Sequence, residues 1–577
     1  MVTGMRVNKK DVIRLLEQIA VYMELKGENP FKTAAFRKAA AALEADDRSL
    51  SEIKDFTKIP SIGKGTAAVI EEFIEDGVSS VLRELQETVP KGLIPLLQIP
   101  GLGGKSIARL YKELDVVDIK SLKAACEAGK IRAIKGFGKK TEENIIEALK
   151  QMGKQPDRLP ISYMIPIAEL IEASLKEIRE ISRFSRAGSL RRVRETIKDL
   201  DFIISTEHPQ VVKEKLLGLE GFGEATASGD TKVTLLVEGG QYRISVDIRI
   251  VAPCEYATAL HHFTGSADHN VRLRQLAKSR GEKISEYGVE NIETGEIKTF
   301  KSETDFFHHF DLPFIPPEIR EDGKEVDEFD GSRQLIQIED IKGDLHMHTT
   351  WSDGAFSIVE MVEACRKKGY QYIAITDHSQ FLRVANGLTV DRIKKQNEEI
   401  KELNEKYDDI LILSGIEMDI LPDGRLDYDD ELLAELDIVI ASIHSSFSQP
   451  RKKIMERLRN ALENPHVDII AHPTGRLIGR RDGYDADIDE LIELAKETDT
   501  ALELNANPAR LDLSAEHLRH AQEQGVKLVI NTDAHNIGNL EFMDLGASFA
   551  RRGWIQRPSV INTWKPDELL SFLHRND

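Results

Sequence analysis

The stretch Gly343-Asp344-Leu345-His346-Met347-His348-Thr349-Thr350 is an apolar run of strand length that ends in two histidines spaced i, i+2. Six more apolar runs follow: YIAITDHS (372–379), ILILSGIEMDI (410–420), IVIASIH (438–444), VDIIAHP (467–473), ALELNAN (501–507) and KLVINTDAH (527–535). Amphipathic helical stretches such as SIVEMVEACRKKG (357–369) and ADIDELIELAKET (486–498) separate them. Strands hidden on both faces read as continuous apolar runs, so this alternation predicts a parallel, barrel-like α/β sheet. In such barrels the chemistry collects at the C-terminal ends of the strands. Nine ligand-type residues fall at those ends or just beyond: His346, His348, Asp353, His378, Glu417, His444, His472, Asp533 and His535. Imidazole mixed with carboxylate suits Mn²⁺, Zn²⁺ or Fe²⁺. Nine ligands suffice for two or three such ions in a hydrolytic site.

Working outward, the 577 residues predict three to five domains at about 100–200 residues each. The net charge is −20, which argues against a protein that binds nucleic acid with its whole surface. The charge is unevenly spread. Residues 1–320 hold 48 basic and 48 acidic side chains, and residues 321–577 hold 30 and 50, so the entire excess lies in the half that carries the ligands. Ten of the 16 histidines also lie after residue 340. There is no uncharged apolar run of about 18 residues, and no signal-peptide pattern at the start, so no membrane association is expected. Cys126, Cys254 and Cys365 make no CxxC pair, which excludes a zinc ribbon and points to a reducing cytoplasm.

Residues 160–320 read as α+β, with IKDLDFIIST (197–206), TKVTLLVEG (231–239) and YRISVDIRIV (242–251) as alternating strands. Asp199 and Asp201 stand at i and i+2 and project from one face. If the strand holding Asp247 is adjacent, three carboxylates converge. Such a cluster needs cations and suits two Mg²⁺, or Mn²⁺, that leave coordination sites for phosphates. Ser189 and Arg192, on a turn opened by Gly188, are placed to hold a triphosphate. The segment LPFIPPEIREDGKEVDEFDGS (312–332), Pro-rich and then acidic, reads as the end of a domain and a linker.

Residues 8–155 read as short helices with three related glycine turns: Ile59-Pro60-Ser61-Ile62-Gly63-Lys64-Gly65, Ile99-Pro100-Gly101-Leu102-Gly103-Gly104-Lys105, and Ile134-Lys135-Gly136-Phe137-Gly138-Lys139-Lys140. Each leads into a helical stretch. Free amides at a helix N-terminus bind phosphate without reference to base sequence, so three copies point to the DNA backbone. Gly63, Gly65, Gly101, Gly103, Lys105, Gly136, Gly138 and Lys139 are the candidate contacts.

The three turns resemble helix-hairpin-helix motifs. Gly188-Ser189-x-Arg191-Arg192, the Asp199-x-Asp201 pair, Asp247 and His262-Phe263-Thr264-Gly265-Ser266 together resemble a family X DNA polymerase over residues 8–320. The order HxH, D, TDH, E, SIH, AHP, TDAH over residues 340–577 is similar to the polymerase and histidinol phosphatase (PHP) domain, a distorted seven-stranded barrel with a trinuclear phosphoesterase site. The fusion is the arrangement of bacterial PolX-type enzymes.

The resemblance implies an 8-kDa-like helical domain at 1–90, a second helix-hairpin-helix region at 91–155, a polymerase-beta-like nucleotidyltransferase palm with a thumb-like region at 156–320, a linker at 321–340 and the PHP domain at 341–577. It implies gap-filling synthesis in DNA repair, including base excision repair, on gapped or primer-template DNA with dNTPs. It also implies a metal-dependent 3′–5′ exonuclease with 3′-end processing and abasic-site cleavage. Asp199, Asp201 and Asp247 become the catalytic metal ligands, and Asp247 the base or orienter for the primer 3′-hydroxyl. Phe263 and Gly265 line the sugar pocket, Asn270 reaches the minor-groove edge, and Lys32 the 5′-phosphate. His262 stands where many members carry Tyr. Val69 stands where lyase-active members carry the Schiff-base Lys, so no lyase activity is expected.

Basic residues Arg383, Arg451, Lys452, Lys453, Arg476, Arg480 and Arg481 follow ligand-bearing strands and are expected to guide a phosphodiester to the metal face. A monomer is expected. The alternatives are a small-molecule phosphoesterase tethered to DNA by its N-terminal half, and a non-catalytic DNA scaffold.

Overall fold

The computed structural model describes residues 7–576 apart from 8, 47, 49, 51–52, 100, 153–155, 220–223, 228–230 and 241, so Pro100 of the second hairpin lies outside the described residues. Among them no helix is long and apolar enough to cross a membrane. The N-terminal part is helical. Helices Lys9–Lys26, Pro30–Ala45, Lys64–Asp76 and Ser80–Thr88 pack around Leu16, Ile19, Leu43 and Ile70. Asn29 and Ser79 cap the second and fourth of these, accepting from the Phe31 and Leu82 amides. A second cluster, including Leu93, Leu96, Ile107, Leu110 and Leu122, joins helices Gly104–Leu114, Ile119–Glu127 and Lys139–Met152.

A five-stranded sheet follows, ordered Arg183–Arg186, Leu200–Ser205, Tyr242–Val251, Lys232–Gly239, Glu224–Ala227. Its centre is a parallel pair, Leu200–Ser205 against Tyr242–Val251, flanked by antiparallel neighbours. Helices Tyr256–Thr264 and Ala267–Ser279 and a small antiparallel sheet complete this part around Phe300, Phe306, Phe307 and Phe310.

The acidic segment 321–340, expected as a linker, is instead a packed strap. Val326, Phe329, Leu335 and Ile336 are buried, the first three in one cluster with Trp554. Several of its acids are paired with basic side chains, Glu321 with Arg192 and Asp327 with Arg272 among them, so its charge marks pairing rather than solvation.

The C-terminal half is a seven-stranded parallel sheet in sequence order, from Gly343–Asp344 to Leu528–Asn531. Its inward residues Tyr372, Leu413, Ile438, Ile440, Ile469 and Val529 pack with Leu569 and Phe572 of the last helix, Pro566–Leu573. Arg575 ties that helix to Asp468, at the start of the fifth strand, with Nη1 2.8 Å from Oδ1. The plugged N-terminal end leaves the opposite end for polar groups.

Side chains do much of the work of closing the sheet between its first and last strands. The Asn562 amide donates to the carbonyls of Gly343 (2.9 Å) and Ile530 (2.6 Å), and its Oδ1 accepts from the Ile530 amide (3.1 Å). Higher up, Asn531 Oδ1 accepts from the Leu345 amide (3.0 Å), and a parallel bridge joins Met347 to Ala534. Asn562 is fully buried, so Asn562→Ala strands three backbone groups at about 1–3 kcal/mol each before relaxation. The expected loss is roughly 2–5 kcal/mol. Urea unfolding followed by tryptophan fluorescence checks this, because Trp351, Trp554 and Trp564 all lie in this half. An unchanged midpoint would refute the stitching role.

Candidate active sites

The nine ligand-type residues of the barrel meet at the open end. Three groups have ligand atoms within 4.8 Å of one another: His348, Asp353, His378 and His535; His346, His348, Glu417 and Asp533; and His378, Glu417 and His444. His472 stands outside these groups, with Nε2 2.9 Å from Glu417 Oε1. Glu417 is the hub. Oε1 lies 3.2 Å from His444 Nε2, and Oε2 lies 2.9 Å from His378 Nδ1 and 3.4 Å from His346 Nε2 and from His348 Nε2. His346 Nε2, His348 Nδ1, His378 Nδ1 and Glu417 Oε2 are buried without a hydrogen-bond partner. Buried polar atoms are rarely left so, and cations in the three groups would satisfy them. The donor set therefore fits divalent ions.

The electrostatics say the same. Burial alone would push the Glu417 carboxyl up, but His444, His378 and His346 hold it well below its ordinary range. Burial, His535 and His378 push His348 down to about 3, whereas for His535 burial is opposed by Asp353 and Asp533, which together lift it to about 9.

Sequence reasoning did not single out the partners that aim these ligands. His346 Nδ1 lies 2.8 Å from Glu503 Oε2, and His444 Nδ1 lies 3.2 Å from Asp419 Oδ1. Such contacts fix which ring nitrogen faces the metal. The signal was present: Glu503 is the one acid of the strand Ala501–Asn505, and Asp419 stands two residues after Glu417 at the end of the largely apolar strand Leu411–Asp419. Lys10 of the first helix also reaches Asp353 Oδ2 at 3.2 Å.

In the five-stranded sheet, Asp201 lies directly opposite Asp247 in the parallel register. Asp199 precedes its strand by one residue rather than sitting in it. Burial, then Asp199, then Asp247 push the Asp201 carboxyl up to about 7. An unanticipated cation answers this. Lys232 Nζ lies 2.6 Å from Asp247 Oδ2, and the Thr234 hydroxyl donates to Oδ1 at 2.7 Å. Asp201 and Asp247 therefore stand side by side with an ammonium and a hydroxyl already on Asp247, and among the described residues Asp199 does not complete a group of three ligand atoms within 4.8 Å.

The turn before this strand is shaped to the acids. Gly188 has φ +58°, and a Cβ there would come within 2.2 Å of Asp201 Oδ2. Ser189 follows it in the short helix Gly188–Arg191. Arg192 reaches across to the Thr264 carbonyl and pairs with Glu321 at 3.2 Å. This brings the His262–Ser266 stretch beside the turn: a Cβ on Gly265 (φ +69°) would lie 3.1 Å from Arg192 Nη1. Phe263 stacks under the Arg249 guanidinium, 4.5 Å from the ring centroid, with the His262 ring edge-on to it. Asn270 donates to the His262 carbonyl at 2.8 Å, and its Oδ1 is buried without a partner.

The hairpins share a geometry. Gly101 and Gly136 have φ +86° and +94°, and Ser61 takes the same place at +72°. A Cβ on Gly63, Gly65, Gly101, Gly103 or Gly138 would meet nothing within 4 Å. These glycines are therefore not demanded by neighbouring protein atoms, and their faces are open for another molecule's close approach. Helices Gly104–Leu114 and Lys139–Met152 begin with Lys105 and Lys139 in their first turns. Lys32, in the first turn of its helix, is exposed and 4.0 Å from Glu28. Val69 is buried against Leu15, Ile19 and Leu85.

The expected basic rim is only partly free. Arg476 pairs with Glu195 at 2.8 Å and bonds the Arg510 and Leu511 carbonyls, fastening the barrel to the palm side. Arg481 bonds the Gly475 carbonyl and covers Phe447. Arg451 pairs with Asp485 at 2.8 Å and Lys453 with Glu456 at 3.1 Å. Arg383 and Arg480 are exposed. Loop position alone does not reveal which charges are spent on partners distant in the chain.

Comparison with known proteins bears on the domains that hold these residues. Residues 7–79 match the model of a helix-hairpin-helix domain and residues 93–151 that of a SAM-like helix-hairpin-helix tandem. Residues 259–321 match the DNA polymerase beta thumb and residues 344–507 the PHP domain. The DNA polymerase/3′–5′ exonuclease PolX of Bacillus subtilis is 63% identical over 571 residues, covering 99% of this chain and 100% of its own. DNA polymerase lambda of Rattus norvegicus is 25% identical over 53% of this chain and 55% of its own. A probable phosphatase of Caldanaerobacter subterraneus subsp. tengcongensis is 33% identical over 33% of this chain and 75% of its own.

Proposed function

Because this chain belongs to the PolX family of DNA polymerase/3′–5′ exonucleases, we propose that it fills short gaps in DNA during repair with its palm and trims 3′ ends with its barrel, each at its own metal site. The observation that supports this division is two separate groups of ligand-type residues: the register pair Asp201–Asp247 in the palm, and the imidazole and carboxylate cluster around Glu417 in the barrel. A small-molecule phosphatase tethered to DNA would have no use for the palm set.

In the palm, Asp199, Asp201 and Asp247 hold two Mg²⁺ or Mn²⁺. In the barrel, His346, His348, Asp353, His378, Glu417, His444, His472, Asp533 and His535 hold two or three Mn²⁺, Zn²⁺ or Fe²⁺. When bound, these ions polarise the phosphorus centre and make the attacking hydroxyl or water more acidic. Asp247 takes the proton of the primer 3′-hydroxyl. Ser189 and Arg192 hold the triphosphate of the incoming dNTP, Phe263 and Gly265 border its sugar, and Asn270 faces the base-pair edge. Glu503 and Asp419 keep His346 and His444 turned toward the barrel site. Such a chain works as a monomer in the cytoplasm, where its three free cysteines stay reduced. Abasic-site cleavage belongs to the barrel, and Val69 leaves no imine-forming group at the lyase position.

The test is one gapped duplex with the primer 3′-strand labelled. With dNTPs and Mg²⁺ or Mn²⁺ the strand should lengthen by the gap; without dNTPs and with Mn²⁺ it should shorten. Failure of either would remove that half of the proposal. The hairpins carry the DNA backbone at Gly63, Gly65, Gly101, Gly103, Lys105, Gly136, Gly138 and Lys139, with Lys32 on the 5′-phosphate. Gly103 has φ −89° and open space at its Cβ, so Gly103→Ala leaves the fold intact. It is nonetheless expected to weaken binding of gapped DNA about tenfold, or 1.4 kcal/mol, by fending off the phosphate. Titration by fluorescence anisotropy checks this, and wild-type affinity would show that the second hairpin does not touch DNA.

A further inference from the structure

Three arginines converge on Glu321. Its Oε1 accepts from Arg192 Nε at 3.2 Å and from Arg552 Nη1 at 2.9 Å, and its Oε2 accepts from Arg194 Nη1 at 2.6 Å. These residues come from three parts of the chain. Arg192 and Arg194 follow the Gly188 turn of the palm, and Glu321 opens the strap after the thumb. Arg552 ends helix Phe542–Arg552 of the barrel. Arg552 Nη1 makes one more contact, donating to the Arg192 carbonyl at 2.8 Å. One barrel guanidinium therefore touches both the backbone of Arg192 and the carboxylate that holds its side chain. The Arg192 and Arg552 side chains are only 13% and 14% exposed, so water screens these contacts weakly.

A carboxylate and a triphosphate are competing acceptors for one guanidinium. The more positive charge Glu321 meets elsewhere, the less firmly it holds Arg192. We infer that Arg552 is a positioning residue for nucleotide binding. It draws Glu321 away from Arg192 and anchors the Arg192 main chain, so that the exonuclease barrel sets the affinity of the palm for dNTP. This rests on the reading of Arg192 as a triphosphate contact. It assigns Arg552 no part in the chemical step of either reaction.

The test is steady-state single-nucleotide insertion by the full-length enzyme, with KM for dNTP separated from kcat and 3′ resection measured on the same preparations. Arg552→Ala is expected to raise the dNTP KM about tenfold, with kcat changed less than about twofold, the size expected for one hydrogen bond to a charged group. Resection should stay at the wild-type rate, which reports an intact barrel. Adding Glu321→Gln to Arg552→Ala removes the competing charge and should bring the KM back to within about threefold of wild type. A wild-type KM in Arg552→Ala, or no recovery in the double variant, overturns the inference. Arg552→Lys, which keeps the charge but not the shared donor, covers the case in which the Ala variant does not fold. It should raise the KM about threefold, and no change would again overturn the inference. Arg192→Ala separates the two levels. If it raises the KM while Arg552→Ala does not, only the role of Arg552 falls; if it leaves the KM unchanged, the reading of Arg192 falls and the inference with it.

Discussion

Asp247→Ala is expected to reduce primer extension at least about 10³-fold while resection of the same 3′ end continues at the wild-type rate. The loss follows from geometry. Asp247 is the register partner of Asp201, so its removal takes away one of the three carboxylates proposed to hold the two ions and the proposed base for the primer hydroxyl. Lys232 would then lie beside Asp201 and Asp199 alone, an ammonium among two acids, which cannot reproduce two divalent charges. The barrel does not share this sheet, so its activity has no reason to fall. Parallel assays of one preparation, with and without dNTPs, decide the matter. Extension that survives the substitution would remove Asp247 from the metal site. Loss of both activities would point to misfolding or to a single shared site.

The second large effect lies at Glu417. This carboxylate lies within 3.4 Å of five imidazoles, those of His346, His348, His378, His444 and His472. Replacement by Gln removes the charge that holds the cluster together and turns one acceptor into a donor aimed at ring nitrogens. Glu417→Gln is expected to lower bound metal and to cut resection at least about 10³-fold, with extension in Mg²⁺ unchanged. Elemental analysis of the purified variant and the two-way assay check it. Full metal content with full resection would refute the hub role. Full metal with lost resection would assign Glu417 to the chemistry rather than to holding the ions.

The cluster of acids and imidazoles was legible because barrel strands repeat one local rule: an apolar run buries itself, and polar residues collect where it ends. The hairpins were legible for a similar reason, since the left-handed residue and the helix start lie within a few positions of each other. Glu503 and Asp419 were visible as acids in apolar strands, but nothing local says which histidine each one turns. Arg476 and Arg552 were further out of reach. Their side chains are spent on Glu195 and Glu321, partners distant in the chain, and a basic residue on a rim loop reads the same whether it awaits a phosphate or already holds a carboxylate.

The sequence by itself determined the parallel barrel, the helical hairpins, the α+β palm and the identity of the acids and imidazoles, because periodicity and turn chemistry act over neighbouring residues. Only the tertiary structure decided that Asp201 stands opposite Asp247, that Lys232 answers their charge, that Asn562 stitches the barrel seam, and that Arg552 of the barrel reaches the palm. Those pairings depend on where distant segments come to rest when apolar surface is buried, and the energies that choose them belong to contacts the linear order does not record.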